Sequence, residues 1–278
     1  MEEVEEEKEE LFLSLQDKLL LEDHKEQEHD VNSRVEAIKE ITGYEFHDPI
    51  LLQQALTHHS YEEGCSSYER LAYFGDAFLN FSIAKEHYFL YPDLNPGKLT
   101  RLRAANADTE KLARVALKHQ LHKFLRHNKP LLAEKIKEFT DAIMEHPLHS
   151  SGLIDAPKVV ADIVESLVGA IYIDSNSSMD TTWKIVKKLL EPIITPETVH
   201  MHPVTKLHEI CHKNGFKVKI RDSWKEAGEI EFFVDEEFIG RAKYSTKRVI
   251  AYTRAAQNAY NQIVEQLENT VQNDNIFD

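Results

Sequence analysis

The sequence predicts a mostly α-helical protein that closes with a small α+β unit. Two observations carry that prediction. From residue 33 to about 195, apolar residues recur at helical steps between capping and breaking residues. Beyond residue 215, three short runs alternate apolar with polar residues and are rich in β-branched and aromatic side chains, the period of strands.

The elements follow in order. Val35 to Ile41 is a short amphipathic run that stops near Gly43. Asp48-Pro49 opens a second helix, "ILLQQALTHHS", with Pro49 suited to a first turn, where its missing N–H costs nothing. Residues 67–90 form a long, largely apolar helix ending at Tyr91-Pro92. "NPGKLTRLRAANADTEKLARVALKHQL" holds two more, joined at Ala107-Asp108-Thr109, and "PLLAEKIKEFTDAIMEH" gives another. After the polar loop around Ser150-Ser151-Gly152 comes a strongly apolar helix, "APKVVADIVESLVGAIYID", and Met179 to Ile194 completes the set before Pro196. Residues 196–202 then read as a linker. Residues 203–268 read as helix (Val204 to Lys213), strands "FKVKIRDSW", "GEIEFFVDE" and "EFIGRAKYS", and a helix over 246–268, an α-β-β-β-α unit followed by a tail, 269–278.

Charge is unevenly spread. The chain of 278 residues carries a net charge of −15, which by itself argues against a nucleic-acid partner. Residues 1–30, however, hold thirteen acids against Lys8, Lys18 and Lys25, a charge of −10 in a segment that reads as a disordered tail. The other 248 residues carry only −5, so a polyanion held through cations stays open. The two cysteines, Cys65 and Cys211, suggest neither a disulfide framework nor a zinc site. No signal peptide and no membrane-length apolar run is visible, which points to an intracellular protein of nucleus or cytoplasm with no membrane partner.

Two acid pairs lie on very apolar helices. Glu69 and Asp76 share one stripe of "YERLAYFGDAFLN", with Ala72 between them. Asp162 and Glu165 stand three residues apart in "VVADIVESLVGA", so both leave the helix on one side. Solvated acids and a site for Mg²⁺ are both consistent with this pattern. Buried carboxylates are costly unless paired or bound to a cation, and hard oxygen donors suit Mg²⁺.

At these residues the chain resembles the ribonuclease III family. "YERLAYFGDAFLN" and "VVADIVESLVGAIYID" resemble its two signature segments and "LLQQALTH" its N-terminal helix, in the right order, over residues 33–195. The C-terminal unit resembles the double-stranded-RNA-binding domain that follows, and the layout is most similar to plant ribonuclease-three-like proteins. The resemblance implies an all-helical, homodimeric endonuclease that cuts double-stranded RNA in RNA processing or silencing, using Mg²⁺, with Mn²⁺ as a substitute. It also implies Asp76, Asp162 and Glu165 as metal ligands, Asp76 and Glu165 as catalytic acids, and Glu69 as a nearby acidic or RNA-contacting group. The family's second glutamate, itself a metal ligand, falls on Ala72. A methyl group offers no oxygen to a cation, so weaker Mg²⁺ binding and slower cleavage are expected, with RNA binding less affected. A natural loss and a deliberate Glu-to-Ala change both fit. Survival of the other acids favours a recent or engineered one. The alternative is a non-catalytic RNA-binding or dimeric scaffold subunit with the same fold.

Duplex RNA is recognised by shape, through phosphates and 2′-hydroxyls. The helix start "STKRVIAYTRAA" supplies Lys247 and Arg248, with Arg254 one to two turns on, and Lys206 and His208 on the preceding helix could reach a minor groove. The family's third basic residue falls near Tyr252, which is not basic, and residues 203–268 balance eleven Lys or Arg against ten Asp or Glu. A domain used for protein contacts therefore stays open beside RNA binding. "THHS" and "VHMHP" lack the spacing and carboxylate context of zinc motifs. "PGKL" is not a phosphate loop, and "EHYFLYPDL" reads as core rather than a stacking platform.

Overall fold

The structure is a computed structural model that describes residues 31–274, with side chains to residue 269. The acidic stretch over residues 1–30 lies outside the described residues. Eleven helices, one 3₁₀ turn and a three-stranded sheet make up the described part. Helix α1 runs through residues 31–42. It is followed by α2 (Pro49–Ala55), α3 (Glu69–Leu90), α4 (Pro96–Ala107), α5 (Thr109–Lys118), the 3₁₀ turn (Leu121–Phe124), α6 (Leu132–Ile143), α7 (Lys158–Asp174) and α8 (Met179–Leu189). The C-terminal elements are α9 (Pro203–Asn214), β1 (Val218–Ser223), α10 (Trp224–Ala227), β2 (Glu229–Val234), β3 (Glu237–Lys243) and α11 (Arg248–Asp274). The mostly helical fold with a small C-terminal sheet is as the sequence predicts. Among the described residues no helix is long and apolar enough to cross a membrane.

The chain divides into two compact units. One comprises residues through Ser82, Val115–Asn128 and Asp162–Glu191. Its centre is α7, whose Ile163, Val164, Leu167, Val168 and Ile171 are fully buried. Two glycines let α3 and α7 touch backbone to backbone: a Cβ on Gly75 would stand 1.8 Å from the Glu165 carbonyl oxygen, and one on Gly169 would stand 2.3 Å from that of Leu71. The buried Ser166 hydroxyl donates to Ala55 O at 2.6 Å, fixing α2 on the same helix. The last residue of α7, Asp174, gathers the preceding segment: it accepts from the Tyr44 hydroxyl (2.7 Å) and the backbone N–H groups of His47 (2.9 Å) and Asp48 (2.8 Å). Helix α2 stops at Ala55, short of the predicted extent. Thr57 instead bridges to Arg126, with Arg126 N–H donating to Leu56 O and His58 N–H to Arg126 O.

The second unit comprises Ile83–Arg114, Lys129–Ala161 and the chain from Pro192 on. Buried Asn106 uses both ends of its amide on Ile194, donating to its carbonyl and accepting its N–H, each at 2.8 Å. The sheet is antiparallel in the order β1-β2-β3, and its Ile230, Phe232 and Ile239 pack with Leu207 of α9 and the alanine face of α11. Gly240 lies where a Cβ would meet Ala259 N at 2.4 Å, so sheet and helix approach more closely than a side chain allows.

Three further expectations need correction. The "FKVKIRDSW" strand ends at Ser223, and Trp224 instead opens the short α10, its indole N–H donating to Tyr244 O at 2.7 Å. The final helix starts at Arg248 and runs on to Asp274. "EHYFLYPDL" is not core, since Tyr88 and Phe89 are 70% and 72% exposed.

Candidate functional site

The α3–α7 crossing sets the acids. Gly75 lies against the Glu165 carbonyl, so Asp76, the next residue, is carried to the same place along the pair of helices as Glu165. Asp162 is buried, Glu165 half-buried, and Asp76 and Glu69 exposed. Asp76 Oδ1 accepts from the Asn80 amide at 2.8 Å.

Tyr68, which sequence reasoning did not single out, meets one of these acids directly. It is buried, and its hydroxyl donates to Asp162 Oδ2 at 3.4 Å. Its pKa is pushed well above the ordinary phenol value, first by burial and then by the negative charges of Asp162, Glu69 and Glu165. Three of the four predicted acids therefore act electrically on one hydroxyl. The residue preceding the Glu69 helix start carried the available signal: a tyrosine at the mouth of an acidic stripe.

Ala72 is buried between Glu69 and Asp76 on α3 and contributes no donor. Asp76, Asp162 and Glu165 do not form a group whose ligand atoms all stand within 4.8 Å of one another. Among the described residues that arrangement is met by His58, His59 and Glu69. As donors, the three carboxylates fit a hard cation such as Mg²⁺, which keeps several waters when few protein oxygens are offered. Closing them on one ion requires side-chain rotation, which at exposed Asp76 and half-buried Glu165 displaces solvent rather than core.

The histidine group supplies the carboxylate that "THHS" lacks in sequence. His59 Nδ1 lies 2.5 Å from Glu69 Oε1, ten residues away, and the His58 and His59 rings stack at 3.9 Å. Burial raises the Glu69 pKa, but hydrogen bonds from Ser67 and His59 outweigh it and hold the carboxyl below its ordinary range. His58 Nδ1 accepts the Ser60 N–H at 2.9 Å, which holds the ring in place. The group ties the segment before α3 to its first turn.

The predicted RNA-binding residues lie in the C-terminal elements. His208 is exposed on α9, and the Lys206 ammonium stands 5.8 Å from the Tyr260 ring centroid. Arg248 is held by Asp222 of β1 through Nε at 2.7 Å. Lys247 bonds Asp155, and Arg254 Nε donates to Leu153 O at 2.7 Å.

A groove of about 620 Å³ opens beside the acids, lined by Leu51, Gln54, Leu71, Tyr73, Phe74 and Ile173 among others. Tyr73 is 83% exposed and Ile173 49%, an apolar surface that a lone soluble domain seldom presents.

The described frame is thus a pair of helices in backbone contact, each carrying carboxylates. Residues 69–176 match the Ribonuclease III domain family model. A rice protein called Ribonuclease 3-like protein 3 is 47% identical over 84% of this chain and 79% of its own length. Rice Ribonuclease 3-like protein 2 is 39% identical over 82% of the chain and 75% of its own. A solved nuclease domain of ribonuclease III from Campylobacter jejuni aligns with 57% of this chain and 97% of its own, at 26% identity and a TM-score of 0.45. The chain belongs to the ribonuclease III family.

Proposed function

We propose that this chain binds double-stranded RNA as a homodimer and is built for its Mg²⁺-dependent cleavage, with cutting weakened by Ala72. The observation that supports this reading is the backbone contact at Gly75 and Glu165, which packs the two acid-bearing helices α3 and α7 directly against each other. Asp76, Asp162 and Glu165 are the groups that hold the ion. When bound, the ion supplies an activated water and a counter-charge at the phosphodiester. The chain's own contribution is positional: Tyr68 holds Asp162 by its hydroxyl, and the contact at Gly75 keeps the backbones of α3 and α7 together. Glu69, tied to His59, is a neighbour of the site rather than a ligand. The groove at Tyr73 and Phe74 supports dimerisation, since burying that surface against a second copy removes apolar area from water.

Ala72→Glu, assayed on long double-stranded RNA with Mg²⁺, is expected to raise the cleavage rate about 10²–10³-fold, the effect of restoring one stabilising group. Equal rates in both proteins would show that position 72 is not a ligand position. Ala72 itself favours a second reading, a dimeric RNA-binding subunit that does not cut. Unchanged RNA affinity with no cleavage in either protein supports that one.

A further inference from the structure

The loop before α7 reaches the residues expected to meet RNA. Its base is rigid: buried Glu110 accepts from Ser150 N–H (2.7 Å) and Ser150 Oγ (2.5 Å), and Asp108 holds His149 Nε2 at 2.9 Å. From there the loop runs along the start of α11. Gly152, at φ +88°, passes so close that a Cβ would meet His202 Nε2 at 3.0 Å and Thr253 Cγ2 at 3.6 Å. Leu153 O accepts from Arg254, whose guanidinium lies 4.8 Å over the Tyr244 ring. The Tyr244 hydroxyl donates to Asp155 Oδ2 at 3.2 Å, and Lys247 Nζ bonds Asp155 Oδ1 with Ala156 O 3.5 Å away.

Asp155 therefore stands where an anionic oxygen would stand to use Lys247 at the N-terminal end of a 27-residue helix. Carboxylate and phosphate offer a lysine the same thing, a delocalised negative charge on accepting oxygens. We infer that the 151–156 loop is an intramolecular latch, in which Asp155 occupies Lys247 as a stand-in for an RNA phosphate and duplex RNA must displace it. The inference rests on the RNA-binding reading above. Because loop and RNA compete for one lysine and one arginine, the measured affinity is the intrinsic one reduced by the unlatched fraction. The Asp155 side chain is 19% exposed and that of Lys247 45%, so the ion pair is partly screened and its effect modest.

The test uses the full chain in EDTA, with a fluorescein-labelled RNA duplex of roughly 16 base pairs, the span of one such domain. Asp155→Asn removes the charge and keeps the shape. Its affinity is expected to rise about two- to fivefold over the parent at physiological salt. Glu134→Gln makes the same charge change at an exposed acid that lines a common pocket with Asp155 and Lys247, and reports the non-specific effect. Asp155→Asn no tighter than Glu134→Gln overturns the latch. Adding Lys247→Ala to Asp155→Asn then separates the two ideas. Weaker binding leaves the RNA-binding face standing without its latch, whereas no binding by any variant removes the RNA-binding reading itself.

Discussion

Replacing Gly75 by alanine puts a methyl group into the tightest contact of the helical core. The added Cβ would lie 1.8 Å from the Glu165 carbonyl oxygen and 3.0 Å from Gly169 N, both backbone atoms that cannot turn aside. Moving from 1.8 Å to an ordinary contact of 3.4 Å requires α3 and α7 to part by about 1.6 Å along that line. A radial gap of even 0.5–1 Å forfeits roughly a quarter to a half of each dispersion contact, and the two helices are rich in buried residues, Leu71 and Phe78 on α3 and Val164 and Val168 on α7. The cost is expected at the top of the overpacking range, about 3 kcal/mol. For a protein of this size that corresponds to a fall in Tm of roughly 6–12 °C. Gly169→Ala acts at the same seam, its Cβ 2.3 Å from Leu71 O, so one opening relieves both and the double variant costs less than the sum. Gly97→Ala is the control, because its nearest neighbour is Asn95 Oδ1 at 3.5 Å and alanine favours the helix. Thermal unfolding followed by circular dichroism reads the four variants beside the parent. A Gly75→Ala protein melting within about 1 °C of the parent would refute the backbone contact between α3 and α7.

Asp174→Asn is expected to cost about 2 kcal/mol, because a side chain only 1% exposed loses the charge that three donors bind. Burial raises the Asp174 pKa, but the donors from His47, Tyr44 and Asp48 outweigh it and hold the carboxyl below its ordinary range. Its stabilisation is therefore full above the unfolded pKa of about 3.9 and is lost as pH falls through the lower folded value. The acid limb of the unfolding free energy should be shallower in the asparagine variant, and an identical limb would remove Asp174 as its source. Tyr73→Glu changes a residue that is 83% exposed in one chain, so folding should persist while the proposed dimer separates in light scattering coupled to size exclusion. A dimer that survives this change would place the interface elsewhere.

Helix periodicity, capping residues and strand alternation were enough to predict the helical body and the α-β-β-β-α end, because local propensity and amphipathic pattern agree there. Helix α10 escaped notice because four residues are too few to show a period. Tyr88 and Phe89 misled, since apolar character alone does not say whether a surface is covered by the same chain. The acids of the candidate site were legible as spacing on two separate helices. Their relation depends on Gly75 and Gly169, whose role appears only when two backbones are brought together.

Sequence by itself determined which helices carry the carboxylates and that Ala72 interrupts their stripe, since both are matters of residue type and helical phase. Tertiary structure alone decided what those residues meet. Tyr68 finds Asp162 across 94 positions, Glu69 finds His59 across ten, and Lys247 finds Asp155 across 92. The physical reason is common to all three. A charge or hydroxyl is specified locally, but its partner is chosen by whichever backbone the packed core brings within hydrogen-bond reach.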